Sequence, residues 1–274
     1  MVKKVLNEFL FRIENQDVYS MEIENLVEEV KNIAQSAGAA IMKIYADADL
    51  SQVVDYKADD SPLTLADGAA DKVIKEGLEA LYVQYPILSE EGKKMSFDER
   101  KDWTTFWLVD PLDGTKEFIK RNGQFTVNIA LIKDHYPIMG VIYVPATDTF
   151  YYGSELGAFK EEAGKKLELK VNHKNTDRIA VRSASHASPE EDQLLAKYDV
   201  KDSISKGSSL KFCMVAEGKA DIYYRHGPTM EWDTGAGQAI LEAAGGQVFK
   251  GNTEEERFDY NKENLLNGSF LCLG

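Results

Sequence analysis

The chain has 274 residues, of which 43% are hydrophobic and 28% charged, as expected for a globular protein with one large core or two modest ones. Its net charge of −14 argues against nucleic acid as a partner, because binding to a phosphate backbone requires a basic surface. There is no signal-peptide core and no apolar run long enough for a stable membrane span, so a cytoplasmic protein is expected. Cys213 and Cys272 lie in apolar runs without nearby metal-ligand partners and are expected to be buried free thiols.

Helices and strands alternate along the first half of the chain. Apolar residues at steps of three and four predict two helices, and short apolar or alternating runs predict four strands. The predicted helices are 22–45 and 65–85, and the predicted strands are 85–88, 106–109, 126–132 and 138–144. The last two strands are separated by a short polar stretch, so we expect them to form a hairpin.

The second half begins after a polar, charged stretch at 160–175 that lacks clear periodicity. This stretch is predicted to separate an N-terminal subdomain, 1–160, from a C-terminal subdomain, 161–274. The predicted elements of the second half are the strands 179–182 and 220–224 and the helices 189–198, 209–217 and 234–244. Helices and strands alternate without a strict β-α-β period, so a layered α/β or α+β sandwich is favoured over a barrel.

The most informative motif follows the strand predicted at 106–109 and reads Asp110-Pro-Leu-Asp-Gly-Thr115. It places two carboxylates, those of Asp110 and Asp113, around a stiff turn, together with the carbonyl oxygen of Leu112. Mg²⁺ takes oxygen ligands in near-octahedral geometry and usually shares its coordination shell with substrate phosphates. The motif therefore indicates a phosphoryl-transfer metal site, although the same residue types also form ordinary turns.

Three further acidic residues, Asp67, Glu90 and Asp233, stand where predicted elements begin or end. Glu90 and Asp110 each follow a predicted strand, so we expect both at one sheet edge, where open sheets place ligand sites. Asp233 precedes a predicted helix and is either an N-cap or a group beside a phosphate at the helix N-terminus. Asp67 likewise either begins the second helix or joins the acidic set.

Four short motifs, taken together, resemble those of the lithium-sensitive, magnesium-dependent phosphatase superfamily that includes inositol monophosphatase and fructose-1,6-bisphosphatase. In chain order they are Ser61-Pro62-x-Thr64-x-x-Asp67, Ser89-Glu90-Glu91, Asp110-Pro-Leu-Asp-Gly-Thr115 and Trp232-Asp233. The resemblance extends over residues 25–274, which is nearly the whole chain.

This resemblance implies a mixed α/β (α+β) fold, a layered αβαβα sandwich with the site between its halves. It implies roughly two or three Mg²⁺ ions per site. The implied metal ligands are Asp67, Glu90, Asp110, the Leu112 carbonyl, Asp113 and Asp233, most of them in the N-terminal subdomain. Asp67, Glu90 and Thr115 would be catalytic, because they would orient and help deprotonate the attacking water. One Mg²⁺ would lower the pKa of that water, and another would neutralise the phosphate and the leaving oxygen.

Within the superfamily, the stretches 113–118, 122–130, 207–213 and 220–233 resemble the 3′(2′),5′-bisphosphate nucleotidases of the CysQ type more than the inositol branch. The implied substrate contacts are Glu90, Asp113, Gly114, Thr115, Lys116, Ser208, Lys211, Arg225 and Asp233. Three of them, Ser208, Lys211 and Arg225, would hold the phosphate that is not cleaved. From the residues alone, Lys211 could equally be a surface lysine whose stem covers apolar side chains, and Arg225 is more typical of a surface cation than of a ligand.

The expected function is a Mg²⁺-dependent phosphatase that converts adenosine 3′,5′-bisphosphate to AMP and phosphate and also acts on 3′-phosphoadenylyl sulfate. The alternatives are an inositol monophosphatase or broad sugar phosphatase, and a metal- or nucleotide-binding regulator without activity. Ser185-His186 resembles a Ser-His pair that reaches the substrate in the family, although a lone histidine there is equally typical of a structural role. The expected partner is a small phosphorylated nucleotide, bound by a monomer or a homodimer.

Overall fold

A computed structural model describes residues 2–46, 54–56, 62–183 and 189–274, and side chains in 21–46, 65–183 and 189–274. The helices are α1 (Val2–Tyr45), α2 (Leu65–Glu79), α3 (Phe97–Arg100), α4 (Thr115–Ile119), α5 (Pro189–Lys197), α6 (Leu210–Ala216) and α7 (Gly235–Ala243). The strands of the N-terminal part are β1 (Val54–Tyr56), β2 (Pro62–Thr64), β3 (Ile87–Ser89), β4 (Thr105–Asp113), β5 (Thr126–Lys133), β6 (Tyr136–Val144), β7 (Thr149–Ser154), β8 (Gly157–Glu162) and β9 (Lys165–Glu168). Those of the C-terminal part are β10 (Arg178–Arg182), β11 (Val200–Ser205), β12 (Ile222–Arg225), β13 (Thr229–Met230), β14 (Gln247–Lys250), β15 (Leu266–Asn267) and β16 (Phe270–Leu273).

The first large sheet contains seven strands in the order β3-β4-β5-β6-β7-β8-β9. β3 runs parallel to β4, and the following pairs are antiparallel. Alternate residues of β4 enter two different cores, as the period of a strand requires. Trp107 and Val109 pack with α1 and α2, whereas Phe106 and Leu108 face α6 and α7 on the other side. The sheet is therefore covered by helices on both faces.

The second large sheet contains five strands in the order β11-β10-β12-β16-β14. Tyr223 and Cys272 lie opposite each other on β12 and β16 and belong to the core that contains α6 and α7. Ile222 and Leu271 face the other way, into a smaller core with the α5 residue Leu194. The layers are thus α1/α2, first sheet, α6/α7, second sheet and α5. This αβαβα order confirms the predicted fold class.

Several element boundaries differ from those predicted. The first helix begins at Val2 rather than residue 22, and the second ends at Glu79, ahead of bends at 81–83. The stretch 160–175 was expected to be a boundary without regular structure, but it contains the end of β8 and all of β9. All residues of β9 are exposed, as befits a charged edge strand, and this explains why no apolar periodicity marks it. The chain leaves the first sheet after Glu168, and the subdomain division at residue 160 remains a prediction.

Two smaller expectations concern cysteines and membrane spans. Both Cys213 and Cys272 are free and buried, as predicted. Among the described residues, the helices include none that is long and apolar enough to span a bilayer.

Helix α7 packs unusually closely against the first sheet at Gly140 on β6. A Cβ atom at this position would lie 2.5 Å from the Ala236 carbonyl oxygen and 2.8 Å from the Ala236 Cα. Both are backbone atoms, so no side-chain rotation can relieve the clash. The absence of a side chain at Gly140 therefore sets the distance between the sheet and the helix that follows Asp233.

We predict that Gly140→Ala lowers the stability of the protein. Forcing a methyl group into this contact should cost about 2 kcal/mol and lower the melting temperature by roughly 4–8 °C. The control is Gly268→Ala, because a Cβ at Gly268 would have no heavy atom within 4 Å. Thermal unfolding followed by circular dichroism gives the melting temperatures of the two variants. If Gly140→Ala and Gly268→Ala melt at the same temperature, the close-packing argument is contradicted.

Candidate metal and phosphate site

The first two acidic residues of the site emerge from neighbouring parallel strands. Ser89 at the end of β3 pairs with Val109 of β4, and the Glu90 N–H donates to the Val109 carbonyl at 3.1 Å. Because Ser89 and Val109 pair in register, the next residues, Glu90 and Asp110, come out side by side, although β4 itself continues to Asp113. The two carboxylates are therefore close together, as expected.

The second carboxylate of the Asp110–Thr115 motif is brought into line by a β-bulge. In a regular strand, residues three apart face opposite sides, so Asp110 and Asp113 would diverge. The structure pairs Asp110 with Asn128 and Asp113 with Thr126, so one intervening residue of β5 faces two of β4. Because of this extra residue in β4, the Asp113 side chain points to the same side of the sheet as the Asp110 side chain. The strand was predicted to end at Val109; it continues through the motif with a bulge.

The chain then turns sharply into the short helix α4. Gly114 has a φ of +90°, which favours glycine, and a Cβ there would collide with the Ser208 hydroxyl. Thr115 begins α4 directly after this turn, and the Leu112 N–H donates to Asp110 Oδ1 at 3.1 Å. These local bonds make the motif a rigid unit rather than a loose loop.

Asp233 arrives from the other half of the molecule, in a 3₁₀ turn just before α7. Its Oδ2 accepts the Met230 N–H at 2.8 Å, so it stabilises its own turn rather than capping α7. The neighbouring Glu231 is buried and accepts the N–H groups of Asn261 and Lys262 at 2.7 and 3.0 Å. The turn that carries Asp233 is thus held by its own hydrogen bond to Met230 and by the hydrogen bonds that Glu231 accepts from Asn261 and Lys262.

The carboxylates of Glu90, Asp110 and Asp233 meet in one cluster, with an oxygen of each within 4.8 Å of the others. Burial raises the pKa of Asp110 well above its usual value, and the charges of Glu90, Asp113, Asp233 and Asp67 raise it further. Burial and the nearby Asp113 likewise raise the pKa of Asp233 to about 8. Asp110 is buried and Glu90 and Asp233 are half-buried, and carboxylates this close repel one another unless protons or cations intervene. Their oxygen-rich donor set fits a hard divalent cation such as Mg²⁺.

Asp67 and Asp113 adjoin this cluster. Asp67 is buried in the first turn of α2, and its charge reaches Asp110. Burial raises the pKa of Asp113, and the Lys211 ammonium and the Ser209 N–H act in the opposite direction. The predicted pairing of Asp67 with Thr115, and the predicted role of the Leu112 carbonyl as a metal ligand, stay predictions.

A cavity of about 170 Å³ opens beside Asp113 and Asp233. Among the residues with predicted substrate contacts, its walls contain Asp113, Gly114, Lys116, Ser208, Lys211, Arg225 and Asp233. Glu90 lies outside this lining and borders a larger groove of about 910 Å³ together with Trp232. The acidic cluster thus stands between two depressions, and cationic side chains line the smaller one.

Besides Lys116, two cationic residues from different elements line this smaller cavity. Lys211, in the first turn of α6, is buried, and its Nζ donates to the Ser208 carbonyl at 2.5 Å. Burial lowers its pKa, as does the charge of Arg225. The alternative of an exposed surface lysine is therefore wrong. Arg225, at the end of β12, is half-buried and lines the same cavity.

Some residues of this region were not singled out by the sequence. Ser209, Glu117 and Phe212 line the cavity, and Gln124 accepts the Gly207 N–H at 2.8 Å. All four lie within the stretches 113–118, 122–130 and 207–213, and their contacts join distant parts of the chain. Ser185 and His186 lie outside the described residues, as does Ser61.

The model of the inositol monophosphatase family matches residues 22–271. The chain belongs to the inositol monophosphatase family. Within this family it is similar to the 3′(2′),5′-bisphosphate nucleotidase CysQ of Salmonella typhimurium, with 46% identity over 248 residues that cover 89% of this chain and 98% of that protein. It is also 45% identical to the enzyme of the same name from Escherichia coli K12 over 246 residues, which cover 89% of this chain and 98% of that protein.

Solved structures of the family agree with this assignment. The crystal structure of CysQ from Bacteroides thetaiotaomicron superposes with a TM-score of 0.80 at 43% identity and covers 91% of this chain and 97% of that one. The inositol monophosphatase from Anabaena superposes with a TM-score of 0.71 at 25% identity, with 92% and 91% covered.

The carboxylate cluster leads to a prediction about pH. A carboxyl group with a raised pKa binds its proton more tightly in the folded state, so stability falls as that proton is lost. With EDTA present, the free energy of unfolding should therefore decrease as pH rises from about 4, the unfolded value of an aspartate, to about 8, the folded value of Asp233. Chemical denaturation at several pH values measures the free energy of unfolding. A free energy of unfolding that increases over this pH range would contradict the prediction.

Asp110→Asn tests the metal site itself. It removes one repelling charge while its amide oxygen can still accept the Leu112 N–H, so the metal-free variant should be at least as stable as the wild type at pH 8. Adding Mg²⁺ should raise the melting temperature of the wild type but not of the variant, and turnover should be abolished. Asp98→Asn serves as a control, since Asp98 is exposed on α3. Near-normal activity of Asp110→Asn would disprove the metal model.

Proposed function

We propose that this chain is a Mg²⁺-dependent 3′(2′),5′-bisphosphate nucleotidase that converts adenosine 3′,5′-bisphosphate to AMP and phosphate and also accepts 3′-phosphoadenylyl sulfate. The chain is a phosphatase by its family and by its similarity to curated nucleotidases. The observation that carries the substrate proposal is the pair of cations, Lys211 and Arg225, on the wall of the cavity beside the acidic cluster.

The acidic residues supply the negative half of the proposed site. Glu90, Asp110 and Asp233 would hold the cation, with Asp113 and the Leu112 carbonyl completing its shell and Asp67 joining through a further ion or its water. When bound, Mg²⁺ neutralises phosphate charge and lowers the pKa of water. The Thr115 hydroxyl, paired with Asp67, would orient the attacking water and take its proton while passing its own proton to the Asp67 carboxylate, with Glu90 in support. A side-chain nucleophile is not needed for this reaction.

The cationic residues supply the positive half. Two like charges facing one cavity repel each other, and the neighbouring Arg225 contributes to the lowered pKa of Lys211. A bound phosphate would relieve this repulsion and form charge-assisted hydrogen bonds with both groups. The phosphate that is not cleaved therefore fits this end of the cavity, with Lys116 and the Gly114 N–H nearer the metal. An inositol monophosphate has a single phosphate and would bring no second phosphate to these cations.

A phosphate-release assay tests the proposed reaction. Adenosine 3′,5′-bisphosphate should be hydrolysed faster than inositol 1-phosphate or fructose 1,6-bisphosphate, only with Mg²⁺, and Li⁺ should inhibit. 3′-Phosphoadenylyl sulfate is tested alongside. Equal or faster turnover of inositol 1-phosphate would favour the alternative, an inositol monophosphatase or sugar phosphatase.

Arg225→Gln tests the second phosphate. Losing a hydrogen bond to a charged group costs about 1.5–3 kcal/mol, so kcat/KM for adenosine 3′,5′-bisphosphate should fall roughly 10- to 100-fold. The value for adenosine 3′-monophosphate should hardly change, because this substrate lacks the 5′-phosphate. Arg257→Gln is the matched control, since Arg257 pairs with Glu242 outside the cavity lining. An equal loss on both substrates would reject the assigned role of Arg225.

A further inference from the structure

Three buried polar side chains stand behind Asp113 and have no part in the roles assigned above. Thr126 and Asn128 lie two residues apart on β5, and Ser209 immediately precedes α6. Their exposed fractions are 0%, 1% and 3%. Buried polar groups require hydrogen-bond partners, and these three provide them for one another across the two halves of the fold.

The direction of each hydrogen bond follows from the chemistry of the groups. The Ser209 hydroxyl lies 2.9 Å from Asn128 Oδ1 and 2.9 Å from the Thr126 hydroxyl. A carbonyl oxygen can only accept, so Ser209 gives its single proton to Asn128. Thr126 must therefore donate to Ser209. The Asp113 carboxylate on the other side of Asn128 can only accept, so the amide NH₂ faces Asp113 and the amide oxygen faces the Ser209 hydroxyl.

The opposite end of the amide faces the metal site. With its oxygen held by Ser209, Asn128 points its NH₂ group toward Asp113 Oδ2 at 3.5 Å. The Ser209 N–H donates to the same oxygen at 2.5 Å. Two donors that converge on one carboxylate oxygen restrain rotation of the carboxylate. A reversed amide would instead bring its oxygen against the Asp113 charge.

We propose that Asn128, oriented by the Thr126 and Ser209 hydroxyls, is a positioning residue that aims the Asp113 carboxylate at the divalent cation. The inference rests on the proposed function only in taking Asp113 as a cation ligand. The Ser208 hydroxyl shares its proton between the Gln124 carbonyl at 2.7 Å and the Asp113 carbonyl at 3.0 Å, and Lys211 donates to the Ser208 carbonyl. The loop that carries the phosphate-binding candidates thus also sets a metal ligand, so cation and substrate binding are coupled.

The test measures Mg²⁺ binding directly by isothermal titration calorimetry, without substrate. Asn128→Leu and Thr126→Val should each raise the dissociation constant for Mg²⁺ about tenfold, as loss of groups that orient metal ligands commonly does. Thr126→Ser keeps the hydroxyl and should bind as the wild type does. Thr149→Val removes a buried hydroxyl from β7, which bonds to Thr147 and Glu162, and should also leave Mg²⁺ binding unchanged.

Activity assays separate this inference from the proposed reaction. With the inference correct, Thr126→Val requires more Mg²⁺ for half-maximal rate but approaches the wild-type kcat when Mg²⁺ saturates. Wild-type Mg²⁺ affinity in both Asn128→Leu and Thr126→Val overturns it, as does a wild-type protein that binds no Mg²⁺. If the variants bind Mg²⁺ more weakly but adenosine 3′,5′-bisphosphate is never hydrolysed, the inference stands and the proposed reaction fails. Thr126→Val is nearly isosteric, so it remains informative should Asn128→Leu not fold.

Discussion

The repulsion among clustered carboxylates is the constraint on which the candidate site depends. Glu90, Asp110 and Asp233 come from three separate elements, yet their oxygens lie within 4.8 Å of one another. Without a cation such a cluster opposes folding, because burial and neighbouring charge both disfavour ionised carboxyl groups. The fold withstands this opposition because each carboxylate sits at the end of a rigid element whose apolar face is buried elsewhere.

Rigidity at the cluster comes from the middle layer of the sandwich. Helix α7 lies between the two sheets and begins just after Asp233, and it approaches the first sheet closely at Gly140. The same sheet carries Glu90 and Asp110. The distance between these residues and Asp233 therefore depends on the packing of α7 against the sheet, so the close contact at Gly140 also supports the site.

Much of this arrangement could be predicted from the sequence, because periodicity and motif spacing are local signals. The five longer helices, six of the sixteen strands in the described residues, the layered arrangement and the acidic residues that end or begin elements all follow from such signals. The bulge between Asp110 and Asp113 could not be derived, since it depends on pairing with Thr126 and Asn128 of the next strand. The role of Ser209 was equally hidden, because its contacts reach across more than eighty residues of sequence.

The charge distribution reconciles an acidic protein with an anionic substrate. The net charge of −14 would repel a bisphosphate from most of the surface. Within the cavity, however, Lys116, Lys211 and Arg225 supply positive charge, and a cation held by the acidic cluster would add to it. A molecule with two phosphates would have a cationic partner for each of them, which is the physical basis of the proposed preference for bisphosphates.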